Sequence, residues 1–296
     1  MIDFLKYRFV CALFTALLVL IAGGIYVYRV QTRGYGFSYS VDFTGGTQVL
    51  FKFDNPVSTI TIRDALEAEG WHGVIAREFG PQEVLVRVKD VANDALGSGQ
   101  RMKEALESAL PANTISLLQT EIVGAGIGAA LRWNSILAII IAIIALLFYI
   151  AIRFWSFGFA AGAVIALAHD AFIMLATFLI FDREISITVI GAILAVLGYS
   201  INDTIVIFAR IRDNLKKRKV HETLTHIVNV SINQTLRRTL LTSISTLLTV
   251  LAMFVLGGEA LRDFSLALLV GIVFGTYSSI YIASPVMMLL HKDRKH

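Results

Sequence analysis

The residues best placed to do chemistry lie where a membrane would be. Asp203 falls in Gly198-Tyr199-Ser200-Ile201-Asn202-Asp203-Thr204, inside an otherwise apolar stretch. An ionisable side chain at such depth is costly, which makes it a functional candidate. Tyr199, Ser200 and Asp203 recur at helical spacing and share a face, with Asn202 beside them. A carboxyl held away from water suits proton carriage. The competing reading is a hydrogen-bonded group that only fixes packing. His169-Asp170 lies about halfway along the preceding apolar stretch. Adjacent helical residues point about 100° apart, so one is expected to face a polar path and the other a neighbouring helix, with a role in conformational coupling or as a structural pair. Two such ligands do not make a metal site. Arg237 and Arg238 open the next apolar stretch, preceded by Asn233 and Gln234. One arginine is a candidate partner for Asp203 in one state, released in another. The other is an ordinary charge anchor, and the residues alone do not choose between them. Hydroxyls follow at Thr239, Thr242, Ser243, Ser245, Thr246 and Thr249, then at Thr276 through Ser279 and at Ser284-Pro285. They either pack helices tightly or line a hydrated path.

The elements that position these groups follow from composition. Of 296 residues, 56% are hydrophobic and 16% charged, against about 25% charged in an average soluble chain. The surplus is concentrated in six apolar blocks, near 9–29, 134–152, 156–181, 186–209, 239–257 and 263–290. About 20 apolar residues cross a bilayer as helix. A soluble enzyme, an outer-membrane barrel and a disulfide-rich secreted protein are thereby excluded. The first block follows Lys6 and Arg8, as a signal peptide would. Its apolar run is too long, and Ile25-Tyr26-Val27-Tyr28-Arg29 offers no small-residue cleavage site. An uncleaved anchor is expected. Cys11 is the single cysteine, so an intramolecular disulfide is impossible.

Lysine and arginine set the direction. Fourteen lie at Lys6, Arg8, Arg153, across 210–238 and in the tail, against Arg183 and Arg262 in the opposite short loops. Both termini are therefore expected in the cytoplasm. The expected division is 1–29, a cytoplasmic segment and first helix; 30–132, a periplasmic domain; 133–290, a five-helix core with the basic loop 210–238; and 291–296, a cytoplasmic tail. Residues 33–131 hold 12 acidic and 8 basic residues. The net charge of +4 therefore maps the cytoplasmic face, and nucleic-acid binding loses its main support.

Within 30–132 the pattern predicts strands at Tyr35–Phe43 and Thr47–Phe53 around a flexible Gly45-Gly46 turn. A helix follows at Ile60–Glu69, with Thr61 and Asp64 at capping-box spacing. A hairpin (Val74–Phe79, Glu83–Val88), a helix (Arg101–Leu110) and a strand (Thr114–Thr120) complete it. Two helices on a small sheet suggest a ferredoxin-like α+β unit. The fold class is thus an all-α membrane core of six transmembrane helices carrying one extracytoplasmic ferredoxin-like α+β domain. There is no Cys/His cluster, phosphate loop or seryl elbow, and His72 reads as structural or superficial. Asp42, before Gly45 and Gly46, either accepts turn hydrogen bonds or meets a partner. Gly124, Gly126 and Gly128 form a hinge or a packing edge. Residues 221–236, with His221 and His226, read as an interfacial amphipathic stretch.

Taken in order, Val41-Asp42-Phe43-Thr44-Gly45-Gly46-Thr47, Ala168-His169-Asp170, Gly198 to Asp203 with Arg210-Ile211-Arg212-Asp213-Asn214, and Asn233-Gln234-Thr235-Leu236-Arg237-Arg238-Thr239 resemble the SecD/SecF family of bacterial protein-export membrane proteins. The first motif has the form typical of SecF. The resemblance spans nearly the whole chain. It implies a resistance-nodulation-division type core in the bacterial inner membrane, working with SecD and often YajC, functionally downstream of the SecYEG channel and the SecA motor, on unfolded preprotein. It implies export driven by proton motive force, with protons as coupling ion and no other cofactor or metal. Asp203 falls on the family's proton-conducting aspartate and Arg238 on its arginine before Thr, leaving Arg237 as the variable neighbour. Gly124-Ala125-Gly126 stands where relatives often show Gly-Pro. No ATPase activity is expected, since no Gly-rich loop ends in Gly-Lys-Ser/Thr. The rival readings are a proton-driven small-molecule or lipid exporter of the same superfamily and a non-conducting assembly subunit.

Overall fold

The structure, a computed structural model, describes residues 1–89, 95–219 and 221–291. The tail lysines and arginine expected on the cytoplasmic side, beyond residue 291, lie outside them. The chain divides into two compact units: Tyr39–Ile136 with Gly258–Ala260, and a membrane unit made of the rest.

In chain order, a short 3-10 turn (Leu5–Tyr7) leads into α1 (Arg8–Arg33). Gly34 ends α1 in the left-handed conformation, φ 78°, with its N–H on the Val30 carbonyl, the usual way a glycine stops a helix. Then come β1 (Ser38–Tyr39), α2 (Val41–Thr44), β2 (Gly46–Phe53), α3 (Thr59–Ala68), β3 (Ile75–Gly80), β4 (Glu83–Val88), α4 (Ala95–Ala109) and β5 (Ile115–Val123). The remaining elements are α5 (Ala125–Phe154), α6 (Phe157–Ile180), β6 (Glu184–Ile185), α7 (Ile187–Lys216), α8 (Leu224–Leu256), α9 (Gly258–Ser278) and α10 (Ser284–Leu290).

In the α/β unit, β2 to β5 form one sheet in the order β3-β4-β2-β5. Every neighbouring pair is antiparallel. With α3 between β2 and β3 and α4 between β4 and β5, this is the split βαββαβ arrangement of ferredoxin-like domains. Alternation along β2 buries Val49, Phe51 and Phe53 on one face. They pack with Val84, Val86 and Val88 of β4, Ile62 and Leu66 of α3, and Met102 and Leu106 of α4. The hairpin turns at Pro81-Gln82, where Gln82 takes φ 64° and its carbonyl accepts from the Phe53 N–H at 2.8 Å.

Three local expectations are corrected here. Residues 35–43 are not one strand. The helical turn α2 interrupts them, because Phe43 and Thr44 return their N–H groups to the Ser40 carbonyl and Gly45 returns its own to Val41. The α3 cap is Ser58, whose hydroxyl accepts from the Ile60 N–H. Thr61 lies inside the helix, and Asp64 accepts from Arg63 instead. The second helix also begins earlier, at Ala95.

Among the described residues six helices are long and apolar enough to cross a membrane, the sixth running from Ala260 to Leu290. That last crossing is broken by a π turn at Ser279–Ala283. Pro285 offers no N–H, and its ring would crowd the carbonyl of Tyr281 in a regular helix; the wider turn relieves this. α6 and α7 are the most buried crossings. Small residues let backbones approach: a Cβ on Gly162 would lie 2.6 Å from the Ala283 carbonyl oxygen, and one on Gly158 3.2 Å from that of Met287. The stretch 221–236 does not lie apart as an interfacial segment. From Leu224 on it is the opening part of α8, capped by Thr223, and it buries Ile227, Val228, Ser231 and Ile232. Asn214 of α7 donates to Ser231 Oγ at 2.8 Å and to Gln234 Oε1 at 2.9 Å, so polar side chains hold the two long helices together.

Candidate functional site

Two carboxylates occupy the interior of the membrane unit, on neighbouring helices. Asp170 on α6 is 0% exposed. Its Oδ2 accepts from Ser200 Oγ of α7 at 2.6 Å and from Ser278 Oγ of α9 at 2.9 Å. Gly275 permits this convergence, since a Cβ there would sit 3.0 Å from Ser200 Oγ. His169 Nδ1 lies 3.1 Å from Asp170 Oδ1. Asp170 faces α7 and α9 and His169 faces α1, different neighbours, as the 100° step between adjacent helical residues predicts. The imidazole also reaches back onto Asp170, because a few rotatable bonds span the angle that separates their Cα–Cβ vectors. On the far side of the ring, Nε2 lies 3.5 Å from Thr15 Oγ1 of α1. Thr15 in turn lies 3.4 Å from the Tyr277 hydroxyl, which donates to the Cys11 carbonyl at 2.8 Å.

Asp203 on α7 is 4% exposed. Among the described residues its carboxylate accepts one long hydrogen bond, from Ser243 Oγ of α8 at 3.4 Å. Ser243 and Thr276 of α9 are 2.8 Å apart. Ser200 and Asp203 thus share a face of α7 yet reach different partners. Arg238 is close enough to act on Asp203 through its charge, but no ion pair joins them among the described residues. Both Arg237 and Arg238 are exposed. The Tyr199 hydroxyl is buried without a hydrogen-bond partner among the described residues. Asn202 is exposed. Gln234 accepts from Arg210 Nε at 2.6 Å, so it ties α8 to α7 rather than to Asp203.

The Val41–Thr47 tract is a packed turn. Ser40 Oγ donates to Asp42 Oδ2 at 3.0 Å. Gly45 and Gly46 take φ 71° and 124°, values that L side chains rarely adopt. A Cβ on Gly46 would run into the Val88 carbonyl, and one on Gly128 would stand 2.9 Å from the Gly45 nitrogen. Gly128 is therefore a packing edge, whereas a Cβ on Gly126 would meet nothing within 4 Å.

Two polar clusters escaped the sequence reading. Asp182, between α6 and β6, accepts from Arg29 and Arg33 Nη1, each at 2.8 Å, and from Ser38 Oγ at 3.0 Å. Burial alone would push this carboxyl up. The bonds from Arg33 and Ser38 and the charge of Arg29 outweigh it and hold the carboxyl below its ordinary range. Next to it, Arg183 Nε reaches Asp263 Oδ1 at 2.6 Å. At the other end, Asn229 and Asn233 of α8 accept from the Phe4 and Ile2 N–H groups, both at 2.9 Å. The signal for the first cluster was a lone aspartate in a short loop. Its partners lie some 150 residues away, beyond any periodicity. Among the described residues no group of three or more His, Cys, Asp or Glu is placed to hold a metal.

Six helices apt to cross a membrane, two separate interior carboxylates and a ferredoxin-like unit define a polytopic membrane protein. Comparison with known proteins specifies the family. Residues 102–293 match the family described as protein export membrane protein SecD/SecF, C-terminal, and residues 34–57 match the SecD/SecF GG motif. The chain is 41% identical over 279 residues to the protein translocase subunit SecF of Gemmatimonas aurantiaca, covering 92% of this chain and 82% of that one. It is 38% identical to SecF of Vibrio alginolyticus, covering 100% and 91%. The crystal structure of SecDF, a translocon-associated membrane protein from Thermus thermophilus, aligns with TM-score 0.84 and 36% identity over 97% of this chain. The chain spans 38% of that longer protein. The chain belongs to the SecD/SecF family, as a SecF-like protein translocase subunit with an extracytoplasmic α+β domain.

Proposed function

We propose that this subunit couples proton motive force to preprotein export, with Asp203 as the residue that gains and loses the proton. The observation that carries the reading is the environment of Asp203: a carboxylate withdrawn from water, with one long hydrogen bond and a cation near but not bound. An ionised carboxylate so placed is poorly compensated. It is stabilised either by taking a proton or by closing on Arg238. Passage of protons therefore alternates two arrangements of α7 and α8, with Arg238 approaching in one and withdrawing in the other. Tyr199 and the Ser243–Thr276 pair support the surrounding polar path, while Ser200 is engaged by Asp170. Asn202, Gln234 and Arg237 stand outside it by position.

The proposal includes a SecD partner, since the chain covers little more than a third of the fused SecDF protein it aligns with. It places the chain in the bacterial inner membrane with both termini cytoplasmic and residues 30–132 periplasmic, as the 14-to-2 distribution of Lys and Arg supports. SecYEG, SecA and YajC act as functional neighbours, and unfolded preprotein is the cargo. Asp42, Gly45 and Gly46 shape a packed turn of the exported domain. The test is Asp203→Asn in the assembled complex. Loss of gradient-driven export with assembly intact is expected. Undiminished export at normal assembly would refute the coupling role and favour a non-conducting assembly subunit.

A further inference from the structure

Asp170 is more deeply buried than Asp203 and far better satisfied. Three side chains from three helices converge on it: His169 of α6, Ser200 of α7 and Ser278 of α9. The mechanism above does not use it. A carboxylate at 0% exposure is held charged only at high cost unless a counter-charge or a proton is present. Among the described residues, the side chain in contact that can supply either is His169. Its ring also lines a groove of about 500 Å³ between α1, α6 and α10, together with Arg8, Phe9, Thr15, Tyr281 and Pro285. One nitrogen thus touches the buried carboxylate, and the other faces Thr15 at the groove.

We infer that His169 and Asp170 form a second protonation site of the membrane core, sharing one exchangeable proton that His169 carries between the groove and the carboxylate. The step is balanced. A proton from the groove binds Nε2 while Nδ1 passes its own proton to Asp170 Oδ1, leaving a neutral imidazole protonated on Nε2. No other bond changes. With the carboxylate ionised, Ser200 and Ser278 both donate to it and clamp α7 and α9 onto α6. Protonation weakens Asp170 as an acceptor and loosens that clamp. The other titratable or charged groups around the pair are Tyr277 and Cys11, joined through Thr15, and Arg8 and Tyr281 across the groove. Asp203, on the same helix as Ser200, has its own partners, so the two carboxylates load separately.

The inference goes beyond the Asp203 reading, and its test is independent of it. The chain is reconstituted with its SecD-type partner, and protonated-carboxyl infrared bands are followed against pH in an Asp203→Asn background. Asp170→Asn is expected to remove one titrating band. His169→Gln is expected to move the midpoint of that band by about one to three pH units, the effect of a neighbouring charge. In the parent background, His169→Gln also displaces the pH profile of gradient-driven export while assembly is unchanged. A purely structural pair would alter assembly and leave the midpoint where it was. An unmoved midpoint with an unmoved export profile overturns the inference. Should Asp170→Asn fail to assemble, Asp170→Glu identifies the band by its changed frequency, and the same His169→Gln comparison decides.

Discussion

Replacing Asp182 by asparagine tests whether the loop between α6 and β6 is fastened by charge. The substitution keeps an acceptor oxygen and tolerates the left-handed backbone there, φ 52°, so it isolates the lost charge from backbone strain. The Arg29 side chain is 10% exposed against 37% for Asp182. A hydrogen bond to a charged group so placed contributes about 1.5–3 kcal/mol. The Arg33 pair is more than a third exposed on both sides, and screening leaves it about 0–1 kcal/mol. Asparagine retains part of the Arg29 bond, so a net loss of about 1–2 kcal/mol is expected. The pH dependence has a definite sign. The folded carboxyl lies below its ordinary value, so its contribution is full well above the unfolded value near 3.9. It fades as pH falls through the folded value. Unfolding of the reconstituted protein, read by circular dichroism in a denaturing detergent titration, should separate parent and Asp182→Asn at pH 7. The two should converge only as pH falls below the ordinary carboxylate range, through the lowered folded value. A gap of less than ~0.3 kcal/mol at pH 7, or one that persists unchanged into acid, would show that the charge does not fasten the loop.

Other substitutions probe the α/β unit. Gly128→Ala should cost about 1–3 kcal/mol by pressing on the backbone at Phe43 and Gly45, whereas Gly126→Ala, with open space around it, should be neutral or slightly stabilising. Unfolding midpoints of the two variants compare them directly. Gly46→Ala combines a forbidden backbone angle with a clash on Val88, and should cost about 2–4 kcal/mol, read as lost amide protection along β2 and β4. Ser58→Ala should cost about 1 kcal/mol and raise hydrogen exchange first at the Ile60 amide.

Much of this architecture was legible because lipid imposes a continuous requirement. Each crossing must be apolar over its whole length, and Asp203, His169 and Asp170 stand out against that background. Alternation along Gly46–Phe53 and turn residues at Gly80-Pro81 likewise exposed the sheet. What failed had no period to read. The turn at Val41–Thr44 is too short to show helical spacing. The start of α8 carries enough polar side chains, Thr225, His226, Asn229, Asn233 and Gln234, to resemble a surface segment, although Ile227, Val228 and Ile232 pack inward. The helical step sets His169 and Asp170 toward different neighbours, but the bond between them depends on side-chain length, which spacing does not report. The Asp182 cluster joins residues some 150 positions apart, and only the folded chain brings them together.

The π turn at Ser279–Ala283 sets the phase of the last crossing. One surplus residue in a helix rotates everything beyond it by about 100° relative to an uninterrupted path. Thr276 and Ser278, before the turn, face the hydroxyl and carboxylate groups of α6, α7 and α8. Ala283 and Met287, after it, fall against Gly162 and Gly158 of α6. A straight helix would satisfy one set of neighbours and turn the other outward. The irregularity therefore lets a single crossing serve as polar strut at one level, through Thr276 on Ser243 and Ser278 on Asp170, and as close-packed spacer at the next.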